Sequence, residues 1–201
     1  MNKPNAIHWF RQDLRLSDNP AFYDATKNSS ILPIYILDDN NSKEFSMGEA
    51  SRFWLHHSLT SLDKSLDENL SIYQGNPLEI ILEIINRLNI EEIYWNRCYE
   101  PWRTKRDTHI KKELESKGIM VNTLNGSLLW EPWTIKKGDG TPYKVFTPFF
   151  RKGCLLSDEP RKPLSTPNKP NLFHDSDKSK EVNDLALLPS VRWDTKMKPF
   201  W

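Results

Sequence analysis

The sequence predicts a Rossmann-like α/β fold, a doubly wound five-stranded parallel sheet of order 3-2-1-4-5 with a Pro-rich C-terminal connector. Three observations predict this fold. Short apolar runs lack polar alternation, which is typical of parallel strands covered on both faces. Amphipathic stretches with helical spacing separate these runs. Strand–helix–strand repetition at this spacing forms right-handed crossovers, and these build one sheet with helices on both sides.

Five apolar runs are the predicted strands. The first lacks polar alternation and is predicted to lie at the centre of the sheet. The second contains Pro33, which must sit near the start of its strand because proline has no N–H to donate. The fifth run is the weakest. The predicted strands are residues 6–10, 31–37, 71–74, 93–96 and 120–124.

Helices are predicted between the strands. Residues 18–20, Asp-Asn-Pro, are a helix-start signal. A leucine stripe predicts a helix over residues 49–69. The next helix begins with Asn76 as its N-cap and Pro77 in its first position. A last helix, over residues 101–118, has a thin apolar stripe and many basic residues, which indicate a solvated face. The leucine stripe consists of Leu55, Leu59, Leu62, Leu66 and Leu70.

The domain organisation follows from a change of composition along the chain. Residues 1–130 are predicted to form the α/β core. Residues 131–201 are predicted to form a closing turn, a short helix from Thr147 through Cys154, and a connector between domains. From Leu155 onward, six of the fourteen prolines fall in the last 47 residues. This composition is typical of a linker that lies over a surface and has no core of its own.

Composition excludes several classes of protein. The 201 residues include 28 Lys and Arg against 27 Asp and Glu, a net charge of +1, which excludes polybasic coat proteins and acidic tail proteins. No apolar run approaches the roughly 20 residues of a membrane span, and the first residues do not resemble a signal peptide. Cys98 and Cys154 have no metal-like spacing, so we expect free thiols in a reducing cytoplasm and no metal site.

The chain lacks the glycine-rich motifs of many nucleotide-binding enzymes. No G-x-G-x-x-G follows the first strand, no phosphate-binding loop of the G-x-x-x-x-G-K-[ST] type is present, and there are only seven glycines. A dinucleotide-binding or phosphate-loop enzyme is therefore disfavoured.

Three charged residues follow the first strand within five positions: Arg11, Asp13 and Arg15. The carboxyl ends of the strands are the ligand-binding edge of an open parallel sheet. These charges are therefore candidates for ligand binding. They are equally compatible with an internal ion-pair network that holds the loop, and the sequence leaves both interpretations open.

Five segments, in order, resemble the DNA photolyase/cryptochrome family. The resemblance covers essentially the whole chain but only the N-terminal α/β half of that family, whose complete members continue with a larger helical domain that holds FAD and the damaged DNA. Residues 193–201, WDTKMKPFW, resemble the end of the family's interdomain connector. The five segments are WFRQDLRLSDNPA at 9–21, GEASRFWLHHSL at 48–59, YQGNP at 73–77, YWNRCYEPW at 94–102 and YKVFTPFFR at 143–151.

The resemblance implies a function and partners. A complete photolyase uses light to excite reduced FAD, which passes an electron to a pyrimidine dimer in DNA. FAD and damaged DNA are expected to bind only through the helical half, which is the expected partner, so this chain alone is not expected to be catalytic. No membrane partner is expected. The alternatives are a cryptochrome-type photoreceptor fragment, a stand-alone nucleotide- or flavin-binding module, and a scaffold without ligand.

In this family the α/β domain carries a light-harvesting antenna chromophore, which is a folate, a deazaflavin or FMN. The switch point of the predicted sheet lies between strands 1 and 4, so the chromophore is expected in a crevice at the carboxyl ends of strands 1, 2 and 4. The predicted walls and polar groups are Trp9, Phe10, Tyr35, Trp95, Arg11, Asp38, Arg52, Cys98 and Glu100.

Several of these residues have a second interpretation. Trp9 and Trp95 are equally compatible with simple strand burial. Arg52 and Glu100 are predicted to reach the chromophore, or else to pair with each other or with neighbouring loop charges and brace the edge. Cys98 stands where deazaflavin-binding relatives carry an acidic residue. Trp102 and Arg103 stand where a folate-binding group carries Asn and Glu. These departures leave the identity of the antenna open.

Overall fold

One parallel sheet organises the fold. The computed structural model describes residues 4–39, 45–191 and 193–196. The strand order is β3-β2-β1-β4-β5 and every neighbouring pair is parallel, which confirms the predicted topology with β1 at the centre. The strands are β1 (Asn5–Phe10), β2 (Ser30–Leu37), β3 (Ser71–Gln74), β4 (Glu92–Asn96) and β5 (Met120–Leu124).

Alternate side chains of β1 enter two separate cores. Ala6 and Phe10 belong to the core on one face of the sheet, and Ile7 and Trp9 belong to the core on the other face. All four side chains are at most 1% exposed. Burial on both faces explains why the strands show apolar runs without polar alternation.

Helices cover both faces. The core that contains Phe10 is built with helices α1 (Pro20–Asn28) and α2 (Glu49–Ser65), and the core that contains Trp9 is built with α3 (Pro77–Leu88) and α4 (Pro101–Ser116). The predicted start signals are used as such, because the side chains of Asn19 and Asn76 accept hydrogen bonds from the first-turn amides of α1 and α3. Helices α2 and α4 end a few residues before their predicted ends.

Pro33 is not at the start of its strand, as predicted, but in the middle of β2, opposite His8 of β1. Strand β3 pairs with β2 only from Ile34 onward. Proline therefore lies where β2 has β1 on one side and no β3 residue on the other, so the missing N–H costs less than it would between two fully paired strands.

The C-terminal part of the chain crosses the surface of the sheet domain. The predicted short helix is a continuous run of α, π and 3-10 turns from Phe146 to Leu156. The connector then returns to the sheet, where Leu172 bridges to Ile31 and Lys180 to Ile72. Residues 197–201, the end of the predicted connector, lie outside the described residues. No described helix is both long and apolar enough to cross a membrane.

Candidate functional site

The loop after β1 is held by a buried hydrogen-bond network around Asp13. The Asp13 carboxylate accepts hydrogen bonds from the backbone amide of Arg11 at 3.0 Å and from the Asn96 side chain at 2.5 Å. Asn96 also donates to the side chain of Asn19 at 2.6 Å and accepts from the amide of Ala21 at 3.2 Å. This network ties the ends of β1 and β4 to the start of α1. Asp13 therefore braces the loop, as in the second interpretation, but through hydrogen bonds and not through the ion pairs which that interpretation predicted.

Arg15 belongs to the same brace. Its guanidinium donates to the carbonyl oxygens of Asp18 at 2.9 Å and Gly126 at 2.5 Å. Gly126 follows β5 and packs directly against the side chain of Asn96, so a Cβ atom at this position would collide with that side chain. A glycine is required here because the loop after β5 passes so close to β4.

Arg11 fills the gap between the ends of β1 and β4. Its guanidinium carbon lies 5.1 Å from the ring centroid of Trp9 and 5.9 Å from that of Trp95, and it forms a buried ion pair with Asp107 of α4. The two indoles meet edge to face, with centroids 5.7 Å apart. The predicted single crevice between strands 1 and 4 is therefore closed, and a cavity lies on either side of the Arg11–Asp107 pair.

We call the larger space the first cavity. Its volume is about 600 Å³, within the usual range of small-molecule sites. It lies over the carboxyl ends of β1 and β2, between α2 and α4. The aromatic and apolar lining includes Trp9, Tyr35, Leu37, Trp54 and Trp102, and the charged lining consists of Arg11, Arg15, Asp38, Arg103 and Arg106.

An alternating chain of charges borders the first cavity. Arg106 donates to Asp38 at 2.9 Å and to Asp107 at 2.8 Å, and Asp107 in turn pairs with Arg11. Burial works against the charged form of Arg106, but the contacts with Asp107 and Asp38 outweigh it and raise the pKa of Arg106. The guanidinium of Arg106 also lies 5.1 Å from the ring centroid of Trp9 and 5.3 Å from that of Trp102. These contacts fix the two tryptophan walls in place.

Arg11 carries unused hydrogen-bonding capacity. Its side chain is 3% exposed, and its Nε and Nη2 atoms have no hydrogen-bond partner among the described residues. Buried donors of this kind are costly unless an acceptor meets them. Arg11 lines the first cavity, so a small shift of its side chain toward that space would bring these donors to an acceptor atom of a bound molecule. Burial also raises the pKa of Tyr35 far above its ordinary value, so this wall presents a neutral phenol.

The structure separates the residues that the sequence grouped into one site. Arg11 and Asp38 line the first cavity with Trp9 and Tyr35, but Phe10 does not. Phe10 is fully buried and packs against His8 and Phe22, because its position in β1 directs it to the opposite core. The prediction that Phe10 walls the crevice is therefore corrected.

Neither Arg52 nor Glu100 lines the first cavity or the cavity on the other side of the Arg11–Asp107 pair, and the two residues do not pair with each other. Arg52 binds both carboxylate oxygens of Asp39 at 3.0 Å. Glu100 accepts a hydrogen bond from Gln12 at 2.9 Å and lies 3.5 Å from the guanidinium of Arg103. Each of the two residues is thus engaged by a neighbour at the edge of the sheet.

Trp95 and Cys98 line a different space, which we call the second cavity. It has a volume of about 330 Å³ and lies between α4 and the segment after β5. Trp95 is 1% exposed and also belongs to the core under α4, so its interpretation as a buried strand residue holds as well. Burial raises the pKa of the Cys98 thiol, which is therefore a poor nucleophile at neutral pH.

Sequence reasoning missed the part that α4 plays. Its basic residues indicated a solvated face, yet Arg106 is largely buried, Asp107 is buried, and Trp102 and Arg103 line the first cavity. A signal was present: Asp107 lies three and seven residues before Ile110 and Leu114, on the apolar stripe of the helix. A charged residue on a buried stripe indicates an internal ion pair.

Comparison with known proteins gives consistent results. A family model described as DNA photolyase matches residues 6–168. The deoxyribodipyrimidine photo-lyase of Agrobacterium fabrum is 34% identical over 97% of this chain and 39% of its own length. Cryptochrome-2 of Arabidopsis thaliana is 36% identical over 74% of this chain and 25% of its own length.

Solved structures agree. The crystal structure of a class III photolyase from Agrobacterium tumefaciens superposes on all of this chain with a TM-score of 0.87 and 32% identity. An archaeal photolyase from Sulfolobus tokodaii, described with two FAD molecules, shares the fold with a TM-score of 0.75 at 24% identity. This chain covers 42% of each of these structures.

Proposed function

Because this chain belongs to the DNA photolyase family, we propose that it is the light-harvesting α/β portion of a photolyase and that its first cavity binds the antenna chromophore. The relatives that match nearly the whole of this chain are longer than it, and the chain covers only about 40% of their length. Light-driven repair of pyrimidine dimers is therefore proposed for the complete protein, with FAD and the damaged DNA bound by the part that this chain does not contain.

A single observation carries the proposal for the cavity. The buried Nε and Nη2 donors of Arg11 meet no acceptor among the described residues, in a cavity walled by Trp9 and Trp102. A planar heterocycle that packs against the partly exposed Trp102 and presents a ring oxygen or nitrogen toward Arg11 fits both features. When bound, such a chromophore absorbs light and passes the excitation energy to the catalytic flavin.

The chain's own residues would bind and orient this group. Trp102 would set the plane of the ring, because Arg106, which also packs against the buried Trp9, holds its indole in place. Asp38 and Asp107 hold Arg106, and Asp107 holds Arg11. The contacts are made before the ligand arrives, so little conformational entropy is lost on binding.

The charge distribution bears on which antenna binds. The Nη1 atom of Arg52 donates to both carboxylate oxygens of Asp39 at the start of α2, and this negative charge lowers the attraction of that helix start for a phosphate tail. The guanidinium with unused donors is instead Arg11, deep in the cavity. This arrangement supports a chromophore recognised through its ring, a folate or a deazaflavin, more than FMN.

An exposed apolar surface supports a partner. Val145, Phe146, Leu155 and Leu156 are between 61% and 78% exposed, and Phe146 stacks on Phe150. Several exposed large apolar side chains within one short segment are typical of an interaction site. We assign it to contact with the helical FAD-binding half that completes the relatives.

A second candidate function is that of a cryptochrome-type photoreceptor. The 36% identity with a plant cryptochrome favours it as a real alternative. The cavity would serve the same chromophore, but the complete protein would signal without repairing DNA. Light-dependent loss of pyrimidine dimers by the complete protein distinguishes the two functions.

The cavity is tested by titrating methenyltetrahydrofolate, 8-hydroxy-5-deazaflavin and FMN into the chain and following the absorbance of each. We expect saturable binding of one of the first two. Trp102→Ala should weaken it about tenfold or more, since loss of a stacking wall costs on the order of 1–3 kcal/mol. Trp133→Ala, in the second cavity, is the matched control. Equal weakening by both variants, or no binding of any of the three compounds, would contradict the proposal.

A further inference from the structure

The second cavity is a separate space with its own lining. No described residue lines both cavities, since the Arg11–Asp107 ion pair and the contact between Trp9 and Trp95 stand between them. Its floor is formed by Trp95 of β4 and Thr123 of β5, its side by α4, and its cover by Pro132 and Trp133. Binding in one cavity can therefore be tested without altering the lining of the other.

The cover of the second cavity is held by a network of its own. Glu131, just before the cover, forms an ion pair with Arg97 and accepts a hydrogen bond from the Tyr99 hydroxyl at 2.8 Å. Arg97 also donates to the side chain of Thr123 at 3.1 Å and to the backbone carbonyl of Thr123. The side chain of Glu131 is only 13% exposed, so this pair is well shielded from water. The cover is therefore a positioned wall and not a loose loop.

The walls suit an aromatic ring. Trp133 is 54% exposed although it lines a cavity, and Arg97 lies 5.8 Å from its ring centroid. A half-exposed indole held by a cation and facing a space lined by Trp95 and Tyr99 is a stacking platform of the kind that binds nucleobases.

One cation of the second cavity is only loosely engaged. Arg97 is neutralised by Glu131, and Asp107 is committed to Arg11 and Arg106. Lys111 lies 3.6 Å from Glu115, and both side chains are about half exposed, so that surface pair is weak. The ammonium of Lys111 can therefore turn to an acidic group at the mouth of the cavity with little loss.

We propose that the second cavity binds a nucleoside monophosphate, with the base stacked on Trp133 and the phosphate paired with Lys111. Its volume of about 330 Å³ is at the low end of small-molecule sites, which suits a mononucleotide and is too small for a dinucleotide such as FAD. The hydroxyl of Thr104 donates to the backbone carbonyl of Cys98 and that of Thr108 to the carbonyl of Thr104, so both hydroxyls keep their lone pairs for donors on the base or ribose.

The test uses the whole chain and five probes: AMP, GMP, CMP, UMP and adenosine. Binding is followed by two-dimensional NMR of the indole N–H groups, which reports each tryptophan separately. We expect a saturable shift of the Trp95 and Trp133 signals with at least one monophosphate, and weaker binding of adenosine than of AMP. Inorganic phosphate alone should not shift the Trp133 signal.

Three variants locate the site. Trp133→Ala should weaken binding roughly five- to hundredfold, in line with about 1–3 kcal/mol per stacked base. Lys111→Ala should bring the affinity for AMP down to that for adenosine. Lys112→Ala removes the same charge from a neighbouring exposed position of α4 and is the matched control. Circular dichroism of each variant verifies that the fold is intact.

Two outcomes would overturn the proposal. One is the absence of a saturable shift with every monophosphate at millimolar concentration. The other is binding that moves the Trp9, Trp54 and Trp102 signals and is weakened by Trp54→Ala, which would place the nucleotide in the first cavity. The proposed antenna function is tested separately, by titration with chromophores, so its failure and the failure of this proposal are distinguishable.

Discussion

Arg11, on the loop after β1, and Asp107, in the second turn of α4, form a buried ion pair that divides the carboxyl edge of the sheet. The two residues are 96 positions apart in the chain. Their pairing closes the gap between β1 and β4, where an open sheet of this topology usually has its ligand crevice. It leaves the first cavity over β1 and β2 and the second over β4 and β5.

Breaking this pair should destabilise the protein strongly. Asp107→Asn would leave the buried Arg11 guanidinium without a counter-charge and would also remove a partner of Arg106. We expect a loss of about 3–5 kcal/mol in the free energy of unfolding, measured by urea denaturation. Glu115→Gln, which removes a half-exposed partner of Lys111, should cost less than about 1 kcal/mol. If Asp107→Asn lowered the free energy of unfolding no more than the control does, the buried pair would not contribute to stability as proposed.

Gly126→Ala should be destabilising although it adds one methyl group. The new Cβ would collide with the Asn96 side chain, which cannot move away without losing its hydrogen bonds to Asp13 and Asn19. Overpacking of this kind costs about 1–3 kcal/mol. Gly138→Ala is the control, because no atom lies within 4 Å of its added Cβ. The melting temperature should fall for the first variant and stay unchanged for the second.

His8 should make the fold sensitive to acid. Burial lowers its pKa from 6.5 to about 4, with the nearby Asp13 raising the pKa and Arg11 lowering it. The unfolded chain binds the proton more readily, so stability is unaffected above about pH 6.5 and falls by up to about 3 kcal/mol as the pH drops to about 4.

His8→Leu tests this prediction. The variant should lose that component of the pH dependence of urea unfolding, whereas His109→Leu, at an exposed position, should keep it. Parallel pH profiles for the wild type and His8→Leu would show that His8 is not responsible.

Asp175 should fasten the connector to the sheet domain. It is 3% exposed and accepts hydrogen bonds from the Tyr73 hydroxyl at 2.5 Å and from Arg87 at 3.0 Å. Burial opposes ionisation, yet the hydrogen bonds from Arg87 and Tyr73 lower the pKa of Asp175, so its contribution is present at neutral pH and is lost only in strong acid. Asp175→Ala should speed limited proteolysis of the connector at pH 7, whereas Asp177→Ala, at a mostly exposed side chain, should not.

Arg52 is the residue whose role the structure changes most. Its Nη1 atom contacts both carboxylate oxygens of Asp39, which predicts a brace at the start of α2. Arg52→Ala should therefore leave chromophore affinity within about twofold and lower stability by no more than about 1 kcal/mol, because the pair is partly exposed. A tenfold loss of affinity in the same titrations would return Arg52 to the chromophore site.

The strands, their order and the helix starts could be predicted from the sequence because their causes are local. Burial on both faces removes polar alternation from β1 and β2, and Asn76 followed by Pro77 begins α3 by short-range hydrogen bonding and fixed backbone geometry. The edge of the sheet that carries ligand sites also followed from this order, since the carboxyl ends of parallel strands lie together.

The identity of the site residues depended on the tertiary structure. Phe10 and Trp9 are adjacent and both aromatic, but the alternation of side chains along β1 sends one into a sealed core and the other into a cavity wall. In the sequence, Arg106 and Asp107 resemble the other charged residues of a basic helix. Only the fold shows that they form buried ion pairs with Asp38 and Arg11. Which charges are buried is decided by partners far away in the chain, because a buried charge is stable only beside an opposite charge that the fold brings to it.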